Sequence, residues 1–125
     1  MSRATRGIAA AAAVAVALVL TACQPTEVPK QAEEVASVAA EGALLAHGAA
    51  EGTTTDTFAR EHAKALRTLL GQVRGVIEDE RLAGIAADVD AALGRLADDP
   101  GDEERAARVE ADLDRANEAA EELAA

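Results

Sequence analysis

Few side chains in this 125-residue chain are equipped for chemistry: one cysteine, Cys23, and two histidines, His47 and His62. Cys23 ends the apolar stretch LVLTAC and stands before Gln24 and Pro25. A lone thiol has no disulfide partner. A catalytic thiol would sit inside folded structure, not between an apolar run and QPTEVPK. His47 and His62 flank the loop-like GTTTD, so an antiparallel helical hairpin would bring them to similar height, with Glu51 and Glu61 near both. Histidines with carboxylates hold metal inside di-iron bundles, but the mark of those is Glu-x-x-His on paired helices. EGALLAH and REHA lack that spacing. His62 falls on an apolar face and reads as a core or boundary histidine; His47 lies about 120° from the small-residue stripe of its helix and aims at a flank. The acid runs at 33–34, 78–80, 98–104 and 121–122 lack the alternating oxygen ligands and glycine of a calcium loop, and helix ends account for them. No Gly-x-Ser-x-Gly and no phosphate-cradling glycine loop is present. The expectation is a protein without catalysis, cofactor or metal. The alternative is a small ligand- or metal-sensing bundle using His47 and His62.

Cys23 is explained by what precedes it. Residues 1–7 carry Arg3 and Arg6 and no acid, and residues 8–20 form an unbroken apolar run of thirteen. A positive segment, a core of this length and small residues at the exit describe a secretory signal peptide. The run is short for a membrane-spanning helix, which needs about 20 apolar residues. Leu20-Thr21-Ala22-Cys23 resembles the lipobox of bacterial lipoproteins, in which an aliphatic residue and two small ones precede the cysteine. The resemblance covers the first 23 residues only. It implies cleavage between Ala22 and Cys23, attachment of diacylglycerol to the Cys23 thiol, and further acylation, such as palmitate, at the new amino terminus. Several acyl chains hold a protein firmly where one holds it marginally, at about 0.8 kcal/mol per buried methylene. The expected location is the extracytoplasmic face of a cell membrane, with residues 1–22 as signal peptide, 23–30 as lipidated tether and 31–125 as an acidic, Ala-rich bundle.

Loss of Arg3 and Arg6 with the signal moves the formal charge from −11 to −13. Such a chain has no electrostatic route to nucleic acid or to anionic lipid. The covalent lipid would hold the domain at the membrane while its charge pushes it away. The tether, with two prolines, reads as extended, reaching roughly 20 Å.

Residues 30–125 read as helix throughout, rich in Ala, Leu, Glu and Arg and without β-branched runs of strand length. A first helix spans 30–50, with Val28, Val35, Ala39, Gly42, Ala46 and Ala49 on one stripe and Val38 and Leu45 beside it. A second spans 57–80, capped by Thr55 or Asp56, with Phe58, Leu66, Leu69, Val73, Val76, Ile77 and His62 on one face and Leu70 at its border. Were this helix continuous, Leu82, Ile85, Val89, Leu93 and Leu96 would point about 165° away from that face. A small domain needs a single core, so the chain is expected to break near Asp79, with Asp79 or Glu80 capping a third helix that ends at Asp98. DDPGD is a turn, and a fourth helix spans 103–123 on Ala106, Val109, Leu113, Ala116, Ala120 and Leu123. Arg60, Arg67, Arg74 and Arg81 recur every seven residues and read as a solvated ridge paired with neighbouring acids.

The fold expected is all-α, a small up-down bundle of three to four helices. Its core is thin, so stability should be modest unless pairing adds burial. The function expected is that of a non-catalytic interaction or envelope-associated module, binding a protein partner or a second copy. Leu44 and Phe58 are the first candidates for contact, although Phe58 also reads as a plug for the bundle end.

Overall fold

The computed structural model describes residues 26–125 as four helices, α1 (Val28–Ala50), α2 (Asp56–Arg74), α3 (Glu80–Asp98) and α4 (Glu103–Ala124). The signal peptide, the Ala22–Cys23 junction and the lipidation site Cys23 lie outside the described residues. Pro29 sits in the first turn of α1, where its missing N–H costs nothing. The helix therefore takes in residues 28–30, which the sequence assigned to the tether.

Side-chain caps start the other three helices. Thr55 Oγ1 accepts from the N–H of Phe58 at 3.2 Å, Asp79 Oδ1 from Leu82 at 2.9 Å, and Asp102 Oδ1 from Arg105 at 3.0 Å. α1 ends by folding its loop back on itself, for the carbonyl of Gly48 accepts from the N–H groups of Thr53 and Thr54. A side chain at 48 would collide with Thr54, and Gly52 turns the chain at φ 70°.

The chain does break before Asp79, but earlier than expected. α2 stops at Arg74, and Val76 and Ile77, expected on its apolar face, form the connection to α3. Gly71 and Gly75 weaken the last turn of α2, while Asp79 is committed to α3. The freed backbone is satisfied from α1: Gln31, 2 % exposed, donates from Nε2 to the carbonyl of Val76 at 3.1 Å.

Joined by short loops, the helices run up and down around one core. Of its two neighbours α1 packs far more extensively on α4 than on α2; across the diagonals it makes its smallest contact, with α3, while α2 and α4 stay apart. Leu82, Val89, Leu93 and Leu96 of α3, Val109 and Leu113 of α4, and Leu66, Leu70 and Val73 of α2 fill the centre. α1 contributes mainly alanines, with Val35, Val38 and Leu45. Gly42 marks its nearest approach: a Cβ there would stand 2.9 Å from Leu93 Cδ2 and 3.0 Å from Leu113 Cδ1.

The buried face of α2 is not the expected one. Ala59, Ala63, Leu66, Leu70 and Val73 face inward, so Leu70 is central, and Leu69 and Phe58 are 53 % and 56 % exposed. Phe58 does not plug the bundle end. Counting large side chains misjudged the rotation, because two alanines at a 4-3-4-3 spacing complete a narrower seam.

Gly42→Val should destabilise the bundle by about 1–3 kcal/mol, since the added methyls meet two buried leucines. Thermal denaturation should show the midpoint falling by about 4–8 °C per kcal/mol; an unchanged midpoint would mean that α1 does not lie this close.

Candidate functional site

The two histidines engage different acids on different helices. His47 Nδ1 lies 2.9 Å from Glu110 Oε2, across the α1–α4 groove. His62 Nε2 lies 3.2 Å from Glu41 Oε1, across the α1–α2 groove, and its ring stacks on Phe58 with centroids 5.4 Å apart. Neither pairs with Glu51 or Glu61, the acids nearest in sequence. Among the described residues no three His, Cys, Asp or Glu side chains form a group that could hold a metal ion. The structure thus brings each histidine to one carboxylate and does not bring the pair to a common centre.

Two shallow depressions lie along α4. One, about 490 Å³, is bordered by Ala40, Leu44 and His47 of α1 and by Glu110, Asp114 and Asn117 of α4. The other, about 420 Å³, lies between Ile85, Ala91 and Arg95 of α3 and Asp112, Arg115 and Ala119 of α4. Both are open to solvent. In the second, Asp112 is held by Arg95 at 2.9 Å and also by Arg115, so its charges are already matched.

The arginine row is solvated and three of its members meet acids, as expected; what the sequence did not show is that Arg60, Arg67 and Arg74 all reach from α2 to α3. Arg60 Nε donates to the carbonyl of Ala97 at 3.1 Å, where the negative end of the α3 dipole favours a cation. Arg67 forms a fork on Asp90, with Nε 3.0 Å from Oδ1 and Nη2 3.3 Å from Oδ2. Arg74 adds a second guanidinium to Asp90 at 3.4 Å, and Arg81 of α3 reaches Glu122 of α4 at 3.0 Å. Gly94 leaves the surface of α3 low where the Arg67 guanidinium crosses it. The seven-residue spacing held this signal, because heptad-spaced cations at the edge of a buried seam face the neighbouring helix.

The hydrogen bond from Arg67 holds the Asp90 carboxyl below the usual range, with the charges of Arg67 and Arg74 acting the same way and burial opposing them. Arg67 is raised in turn, chiefly by its bond to Asp90.

The surface candidates Leu44 and Phe58 are both exposed, Leu44 at 75 %, and Leu69 and Val76 join them as exposed apolar side chains. Leu69 was expected on the inner face of α2 with Leu66 and Val73, and it is 53 % exposed instead. Among the described residues no helix is long and apolar enough to cross a membrane. Comparison of the chain with protein families, with curated proteins and with solved structures finds no match to any of them.

Asp90→Asn should lower stability by about 0.5–1 kcal/mol at neutral pH, the range for partly solvated ion pairs. Because the folded carboxyl is the stronger acid, the parent holds its full advantage above the unfolded value, about 3.9. That advantage disappears as pH falls through the lower folded value. Urea titrations of both proteins at a series of pH values check this, and a gap that widens in acid would refute it.

Proposed function

We propose that the chain is an extracytoplasmic lipoprotein: residues 1–22 direct export, Cys23 carries the lipid, and the helical bundle is a non-catalytic interaction module at the membrane. The observation that carries the reading is Leu20-Thr21-Ala22-Cys23 directly after thirteen apolar residues and two arginines. The bundle is compatible with it. Helix α1 begins at Val28, so four residues separate the lipidated position from the helix, a reach over five Cα steps of at most about 18 Å. The charge of −13 on the remaining chain keeps a tethered domain off an anionic surface.

The module has a polarity. Gly52 lies against Glu103 and Gly101 against Asp56, so the α1–α2 and α3–α4 loops share one end. The start of α1, the α2–α3 connection and the close of α4 form the other. The anchor would sit at that second end and present the loops outward.

Cys23→Ala should move the protein from the membrane fraction to the soluble one, as read by fractionation and immunoblot. Mass spectrometry of the parent should show an amino terminus at Cys23 carrying diacylglycerol. An unmodified thiol, or Met1 retained on the mature product, would overturn the proposal.

A further inference from the structure

The outer face of the α1–α2 hairpin is the surface on which the interaction reading becomes specific. Phe58, Ala65 and Leu69 fall within about 60° of one another around α2, with His62 among them, at 100° per residue. The arginines of α2 lie about 140–180° from Leu69 and are bound to α3. The flank of α2 towards α1 is therefore left apolar and without a cation. α1 leaves this flank open because it packs most extensively on α4. The Glu41–His62 hydrogen bond fixes the register of the hairpin, and that register puts Leu44, which points outward from α1 and also borders the α1–α4 depression, level with residues 58–59. Leu44, Phe58 and Leu69 are each more than half exposed. Exposed acids border them: Glu34 on α1 and Glu51 just beyond its end, with Glu41, which also meets His62, and Glu61 on α2, which also meets Lys64 at 3.5 Å.

We infer that this face docks a basic amphipathic helix of a partner protein. Phe58 and Leu69 stand about 17 Å apart along α2, a match for a helix of three to four turns with apolar anchors at i, i+4, i+7 and i+11. The flanking carboxylates select lysine and arginine beside those anchors and steer the approach. A second copy of this chain is the poorer occupant, since it would bring the same acids face to face across a pair of domains each at −13. This rests on the interaction-module reading, but the anchor and the docking face fail separately, because the bundle is tested free of lipid.

The bundle of residues 26–125 draws its core from all four of its helices, and it is the species to test. The probe is a labelled synthetic helix of leucines at i, i+4, i+7 and i+11 with lysines elsewhere, compared with a peptide of equal charge carrying serine for leucine. Fluorescence anisotropy should show the leucine peptide binding, salt weakening it, and the serine peptide binding about tenfold less well or worse. Phe58→Ser with Leu69→Ser should lose about tenfold in affinity at an unchanged melting temperature. Leu44→Ser, more exposed still, gives an independent reading if the double variant folds poorly. Equal affinity for both peptides, no binding, or affinity indifferent to the stripe overturns the inference. So does sedimentation showing a dimer that the double variant abolishes, which would make the occupant a second copy.

Discussion

With no tryptophan or tyrosine, and its single phenylalanine facing solvent, this bundle must be held by short side chains. Short side chains bury useful area only when backbones come close. The close approach of α1 supplies that condition. Ala32, Ala39, Ala46 and Ala49 line its inner face, and Gly42 lets the leucines of α3 and α4 reach the helix surface. The same closeness produces the asymmetry of the bundle. A helix drawn onto α4 and across the diagonal to α3 has less reach for α2, and the α1–α2 seam is the thinnest of the four. Gln31 repairs one consequence, donating across to the carbonyl of Val76 where α2 has ended.

Since α1 gives α2 little lateral support, α2 takes its rotation from α3. Leu66, Leu70 and Val73 bury towards the centre, while Arg60, Arg67 and Arg74 fasten the far edge. Exposed ion pairs contribute little singly. Their effect here is directional, because three guanidiniums at one heptad position can meet α3 in only one rotation of α2. Once that rotation is set, Leu69 and Phe58 are turned out of the core. The exposed apolar stripe thus follows from the arginine seam and is not an accident of loose packing.

Much of this architecture was legible. The small-residue stripe of α1 and the inner faces of α3 and α4 follow from apolar spacing, and the turn at Pro100-Gly101 follows from its dipeptide. The break before α3 follows from a conflict of faces: one straight helix would have aimed its halves in opposite directions, and Asp79 caps the helix that resolves it. What failed to show was the rotation of α2. Its large residues, 58, 66, 69, 73 and 76, suggest one face, and the true seam differs by including Ala59, Ala63 and Leu70. Alanine carries a weak hydrophobic signal and a strong geometric one, and only the second decides which side of a crowded helix turns inward. The histidines lie where their faces put them, His47 on an exposed flank and His62 at the boundary of the core, but their acidic partners were not legible. Sequence distance pointed to Glu51 and Glu61, whereas packing between helices pairs them with Glu110 and Glu41.

These features bear on how a tethered module would present itself. On the proposed anchor, the lipid would sit beside the start of α1 and the α2–α3 connection, and the helix axes would rise from there. A stripe running along α2 then lies parallel to those axes, from the outer loops towards the membrane. Carboxylates flank it, Phe58 and Leu69 stand out along it, and Leu44 projects from α1 at the height of Phe58. On that proposal an anionic bilayer would not match the charge of such a surface, so the acidic balance that would hold the bundle off the membrane would also leave the stripe open. The proposed anchor and the proposed docking face would then occupy different parts of one small fold, the first at the end of a short tether and the second along the side of a hairpin. Neither would compete for the other's apolar surface.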